Sequence, residues 1–201
     1  MIGILGGTFN PLHMGHILLA RGAAEQCGLE KVLLIPTNVP PHKAAPELAE
    51  ARHRLNFCRI AAEEDPLFEA CDIELERQGR SYTADTLEQL TALYPGKGLA
   101  LIMGGDMFLT LEQWMRWREI LRLATICSTV RRGFEGDYDG CRARLEREGA
   151  RVVPLRIELP EISSTEMRAK LRRGEDVSGL IPSGVAEYIY RNGLYIDNGN
   201  E

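Results

Sequence analysis

The stretch "IGILGGTFNPLHMGHILLARGAAEQCGLEKVLLIP", residues 2 to 36, decides the fold. It opens on the apolar run "IGIL" (2–5), breaks at Gly6 and Gly7, passes through an amphipathic segment over about 14–27, stops at Gly28 and returns to apolar "KVLLIP" (31–36). Strand, helix and strand follow one another. Runs apolar at nearly every position belong to strands covered by helices on both faces. The alternation continues with "LALIM" (99–103) and "ATICSTV" (124–130), and with shorter candidates at "FEACDIEL" (68–75) and "RVVPLRI" (151–157). Further helices are expected near 48–64, 83–94, 112–121, 138–148, 164–173 and 183–191, with Gly149 and Gly174 at C-terminal stops. The pattern predicts an α/β protein: an open, mostly parallel sheet of five or six strands, helices on both faces and a small C-terminal helical part.

The 201 residues, 44% hydrophobic and 26% charged, are enough for one sizeable core, so a single domain over 1–196 is expected, with "DNGNE" (197–201) as a frayed tail. A net charge of −5 argues against nonspecific wrapping of nucleic acid, which needs clustered Lys and Arg. Any polyanion bound should be small. The five cysteines, Cys27, Cys58, Cys71, Cys127 and Cys141, form no Cys-x-x-Cys pair and read as reduced residues of a cytoplasmic protein. No basic leader follows Met1 and no uncharged apolar stretch of about 18 residues occurs, so neither export nor a membrane span is expected. The segment "TNVPPHKAAPE" (37–47), stiffened by prolines after a strand, reads as a loop over a site.

In open parallel sheets ligands bind beyond the carboxyl ends of strands, and the first strand-to-helix turn favours phosphate. "GGTFNPLHMGH" (6–16) occupies that turn. Its glycines allow close backbone approach, and the helix starting near Met14 offers unpaired N–H groups and a positive dipole end. Neither G-x-G-x-x-G nor G-x-x-x-x-G-K-[ST] is present, so other groups must supply the positive charge. His13 and His16, three residues apart across the helix start, can face the same way and donate to phosphate oxygens. A metal pair lacks a third ligand at suitable spacing, and a purely local role, each ring satisfying a backbone carbonyl, is the remaining alternative.

The run Thr8-Phe9-Asn10-Pro11-Leu12-His13-Met14-Gly15-His16 is similar to the (T/S)xxHxGH-type motif of the nucleotidyltransferase superfamily, with a longer spacer before the first histidine. The ordered set "IPTNVPPHK", "SYTADTL", "IMGGD", "WMRW", "ISSTEMR" and "IPSGVAEYIYRNGLY" resembles one branch of it, the bacterial nicotinate-nucleotide adenylyltransferases, from residue 2 to about 196. The resemblance implies a Rossmann-like fold and transfer of the adenylyl group of ATP to nicotinate mononucleotide, giving nicotinate adenine dinucleotide and pyrophosphate, with Mg²⁺ accompanying ATP. By that resemblance His13, His16 and Arg168 are catalytic. Gly6, Gly7, Thr8, Phe9, Gly104, Asp106, Ile162, Ser163 and Ser164 join them around ATP, and Lys43, Thr83, Trp114 and Met115 hold nicotinate mononucleotide.

Each of these residues also has a plainer role. Ser163 or Ser164 can simply cap a helix whose first turn contains Glu166, and Asp106 can be an N-cap. Trp114 and Trp117, three apart on one expected helix, can be core. His42 sits beside Lys43 with no assigned contact. The chain departs from the family pattern at Asn10, where an aspartate is common, and at Gly105, where a larger residue is frequent. A phosphopantetheine adenylyltransferase-like enzyme and a non-catalytic nucleotide-binding regulator are the rival readings. The helix in "SGVAEYIYRNGLY" (183–195) can pack on its own domain or on a second copy in a homo-oligomer.

Overall fold

Among the described residues six strands alternate with helices: β1 (Ile2–Gly7), β2 (Lys31–Pro36), β3 (Phe68–Ala70), β4 (Leu99–Met103), β5 (Ala124–Thr129) and β6 (Val152–Leu155). The helices are α1 (Met14–Cys27), α2 (Ala51–Glu64), α3 (Thr83–Leu93), α4 (Gly105–Leu109), α5 (Trp117–Leu123), α6 (Glu135–Arg147), α7 (Ser164–Arg172) and α8 (Ser183–Arg191), with a 3₁₀ turn at Leu111–Gln113. The computed structural model describes residues 1–38, 48–77, 79–130 and 135–196, with the backbone alone at 135–137. All strands pair in parallel in the order β3-β2-β1-β4-β5-β6.

Period-two alternation sends successive residues into two cores. Leu5, Val32, Leu34, Ala100 and Ile102 meet α1, α2, α7 and α8 on one face. Ile2, Ile4, Leu33, Ile35, Leu99 and Leu101 meet α3, α4, α5 and α6 on the other. The strand order reverses between β1 and β4, and connections leaving in opposite directions open a crevice beyond their carboxyl ends. The doubly wound α/β sheet agrees with the sequence pattern, and α7 and α8 form the C-terminal helical part. Gly28 (φ 60°), Gly149 (φ 91°) and Gly174 (φ 66°) end their helices in the left-handed region.

Three expectations are corrected. The strand at 68–75 spans only Phe68–Ala70, because β3 is an edge strand and the chain then turns at residues 73–75, with Glu74 buried. The helix at 112–121 is broken: Trp114 ends the 3₁₀ turn in extended conformation, Arg116 is left-handed (φ 56°), and α5 starts at Trp117. The two tryptophans therefore do not share a helix. Ahead of them, α4 was not foreseen behind two glycines; its N-cap is Gly104, and Asp106 lies in its first turn, so Asp106 is no N-cap.

Candidate active site

The crevice between β1 and β4 is filled from the turn after β1. A Cβ on Gly6 would meet nothing within 4 Å, so the backbone there faces open space where a ligand can approach. Phe9 (φ 45°) is fully buried and turns the chain toward α1. His13 is the N-cap of α1. Its backbone N–H donates to His16 Nδ1 at 3.2 Å, and the N–H of His16 donates back to the His13 carbonyl at 2.9 Å. The imidazoles stack with centroids 3.7 Å apart at 27°, while the edge of Phe9 meets His16 at 5.1 Å.

This capping arrangement sets the tautomer. Because His16 Nδ1 accepts, the ring proton belongs on Nε2, which is left as a donor. His13 Nδ1 is buried with no hydrogen-bond partner among the described residues, so the proton of that ring is also of use only on Nε2. Burial depresses His13 to about 4, and burial followed by the charge of His13 holds His16 well below the ordinary imidazole range. At neutral pH both are neutral donors. Gly15 explains the spacing: a Cβ there would stand 3.0 Å from His13 Nδ1 and 3.1 Å from its Cε1.

The start of α7 closes on the same turn. Ser163 is its N-cap, accepting from the Glu166 N–H at 3.2 Å. Ser164 Oγ donates to the Pro11 carbonyl at 3.0 Å, and Arg168 Nη1 donates to the Asn10 carbonyl at 2.9 Å. Ile162 lies close by, its carbonyl 4.0 Å from where a Gly15 Cβ would stand. Thus His13, His16, Ser164, Arg168 and the Gly6–Phe9 turn come together. Asn10 Oδ1 accepts from the Ala49 N–H at 3.0 Å and from the Tyr195 hydroxyl at 2.6 Å, so both of its lone pairs are engaged and it is unsuited as a metal ligand. Among the described residues no three His, Cys, Asp or Glu side chains cluster closely enough to hold a metal ion.

Arg54 was not foreseen. It is 1% exposed, and its guanidinium donates to the carbonyls of Ala49 (3.0 Å), Thr8 (3.0 Å) and Thr37 (2.6 Å). One cation thereby ties the turn after β1 to both ends of the segment 38–48. Desolvation lowers its pKa, yet an arginine stays charged, so a positive charge is buried beneath the crevice. The signal was available: Arg54 sits on the stripe of α2 that carries Phe57, Cys58 and Ala61. Lys43 and His42 lie outside the described residues.

On the other side of the crevice, Thr83 is the first residue of α3, with its N-cap at Tyr82. The N–H groups of Asp85 and Thr86 donate to the Tyr82 carbonyl at 3.1 and 3.2 Å, which leaves those of Thr83 and Ala84 at the helix start to suit a carboxylate. Trp114 is half-buried against the core cluster that contains Ala84 and Leu87, and Met115 is exposed. Arg116 clamps this segment to α3 through Asp85 (2.9 Å) and Glu88. Trp117 instead packs under the Arg118 guanidinium, 4.2 Å from the ring centroid. At the end of β4, Gly104 leaves room for Asp106: a Cβ there would stand 2.7 Å from the carboxylate Oδ1. The Gly105 N–H donates to Thr129 Oγ1 at 3.2 Å.

The profile of the cytidylyltransferase-like family matches residues 4–170. The chain belongs to the cytidylyltransferase-like family. Among its relatives is a protein of Aeromonas salmonicida named "Probable nicotinate-nucleotide adenylyltransferase", 40% identical over 96% of each chain. A Lachnoclostridium phytofermentans protein of the same name is 35% identical over 97% of this chain and 98% of its own. In three dimensions the chain resembles Plasmodium falciparum nicotinic acid mononucleotide adenylyltransferase complexed with NaAD, with a TM-score of 0.78, 19% identity and 96% of each chain covered. That likeness shows the shared fold.

Proposed function

We propose that this chain transfers the adenylyl group of ATP to nicotinate mononucleotide, a step of NAD biosynthesis carried out in the cytoplasm. The observation that carries this reading is the stacked pair His13 and His16 at a helix start, beyond the point where the strand order reverses, with Arg168 buttressed against the same turn. Relatives sharing 35 to 40% of the sequence over nearly their whole length bear the matching name.

The chemistry needs no enzymic base. A phosphate monoester has a second pKa near 6, so the phosphate of nicotinate mononucleotide arrives ionised and its oxygen attacks the α-phosphorus of ATP. The new P–O bond forms as the bond to the β-phosphate breaks, and pyrophosphate leaves. ATP enters as its Mg²⁺ complex, which neutralises that leaving group; the metal comes with the substrate. The Nε2 donors of His13 and His16 steady charge on the α-phosphate, Arg168 reaches the β- or γ-phosphate, and buried Arg54 adds charge from below. Gly6, Gly7, Thr8, Phe9, Ile162, Ser163 and Ser164 line the triphosphate, and Gly104 and Asp106 face the nucleoside. The start of α3 at Thr83 receives the nicotinate carboxylate, Trp114 and Met115 cover the ring, and Lys43 meets the mononucleotide phosphate.

The test is pyrophosphate release from ATP and Mg²⁺ with nicotinate mononucleotide, nicotinamide mononucleotide or phosphopantetheine in turn. Turnover should be fastest with the first; silence with both pyridine nucleotides overturns the reading. His16→Ala should lower kcat by about 10² to 10³. Loss of its cap bond to His13 should cost only about 1 kcal/mol of stability in thermal unfolding.

A further inference from the structure

Two acidic side chains stand close to the start of α3, where a substrate carboxylate is expected to sit. Asp85 is answered by Arg116. Glu74 is the other. It is 6% exposed and accepts from Thr86 Oγ1 at 2.8 Å, in the first turn and a half of α3. Behind it, Arg77 Nη2 donates to the same Thr86 oxygen and lies 3.8 Å from Glu74 Oε1. The backbone of this bend is tied to the end of β2: Asn38 Nδ2 donates to the Arg77 carbonyl at 2.9 Å, and the Asn38 N–H donates to Ser81 Oγ at 3.1 Å.

The pairing of Glu74 with Arg77 is not the fork that arginine makes with a carboxylate when holding structure is its whole task. The nearest approach to Glu74 is that of Nη2 at 3.8 Å, and Nε and Nη1 are buried with no hydrogen-bond partner among the described residues. Burial pushes the Glu74 carboxyl above the ordinary range, while hydroxyls of Thr86 and Ser81 and the Arg77 charge pull it back. Without Arg77, a buried negative charge would stand one helical turn behind the donors that must accept another negative charge.

We propose that Arg77 is a positioning and specificity-determining residue that offsets Glu74 behind the start of α3, so that the site takes a pyridine carboxylate in preference to the carboxamide. This rests on the adenylyl-transfer reading. The two substrates differ by one charge at the ring substituent, so an electrostatic offset acts on one and spares the other.

The experiment compares kcat/KM for nicotinate mononucleotide and nicotinamide mononucleotide, at saturating ATP and Mg²⁺, in the wild type and four variants. Arg77→Gln should lower the acid-to-amide ratio roughly tenfold, mainly through KM for the acid, as expected for removing a unit charge at an effective dielectric constant of about 20. Arg77→Lys should retain most of the ratio, and the double variant Arg77→Gln/Glu74→Gln should recover it. Should Arg77→Gln fail to fold, Glu74→Gln carries the test and must raise the ratio several-fold. An active wild type whose ratio is unchanged by Arg77→Gln, a lysine variant that falls as far as the glutamine one, or a ratio that Glu74→Gln does not raise overturns the proposal alone. A wild type silent with both pyridine nucleotides removes the adenylyl-transfer reading and this proposal with it.

Discussion

His13 does two jobs: it caps α1 through its backbone and presents its ring to the crevice. Gly15 is what lets both coexist, since its missing side chain is the space under the ring. Gly15→Ala favours the helix by its propensity but pushes the imidazole aside. It should lose at least tenfold in kcat while keeping its melting temperature within a few degrees, as read by steady-state kinetics beside thermal unfolding. Acid should expose the buried rings. Unfolded histidine protonates near 6.5 and folded His13 only near 4, so between these values the unfolded chain holds the extra proton. The contribution from keeping His13 neutral is complete above about 6.5, is lost as pH falls towards 4, and is at most about 3 kcal/mol. His16 adds to the same trend. Denaturant unfolding across that range should show the decline, and NMR titration should show both values rising when ATP brings negative charge beside the rings.

At the scale of elements, the histidine turn, the α7 cap and the start of α3 were legible in the sequence because each is a local pattern: glycines before a helix, Ser-Ser-Thr before a helix, a polar residue at a helix start. The segment 104–117 was not. Its outcome depends on Arg116, whose left-handed backbone is compensated by partners on α3, 28 and 31 residues away, and no local period reports such a contact. Glu74 was missed for the related reason that burial of a charge is decided by what packs over it, whereas Arg54 was readable from its place on the apolar stripe of α2. Arg116→Ala should barely alter stability, because exposed ion pairs contribute about 1 kcal/mol or less. It should raise KM for nicotinate mononucleotide several-fold by releasing the Trp114–Met115 segment, with KM for ATP unchanged.

Across the whole molecule, α1 joins the site to the sheet. Its Gly22 faces Ile157 between β6 and α7, where a Cβ would come within 2.5 Å of the isoleucine Cδ1. Gly22→Ala must displace Ile157, and overpacking of about 1 to 3 kcal/mol outweighs the gain in helix propensity. A fall of a few degrees in melting temperature is expected, with both Michaelis constants near their wild-type values.

The hydroxyl of Tyr195 rests on Asn10, 185 residues earlier, and Arg168 reaches the carbonyl of that same asparagine. In synthesis the turn around Asn10 is made 158 residues before Arg168 and 185 residues before Tyr195. A growing chain therefore carries its histidines through that whole interval before they are held in place, so the bracing of the turn arrives late and all at once.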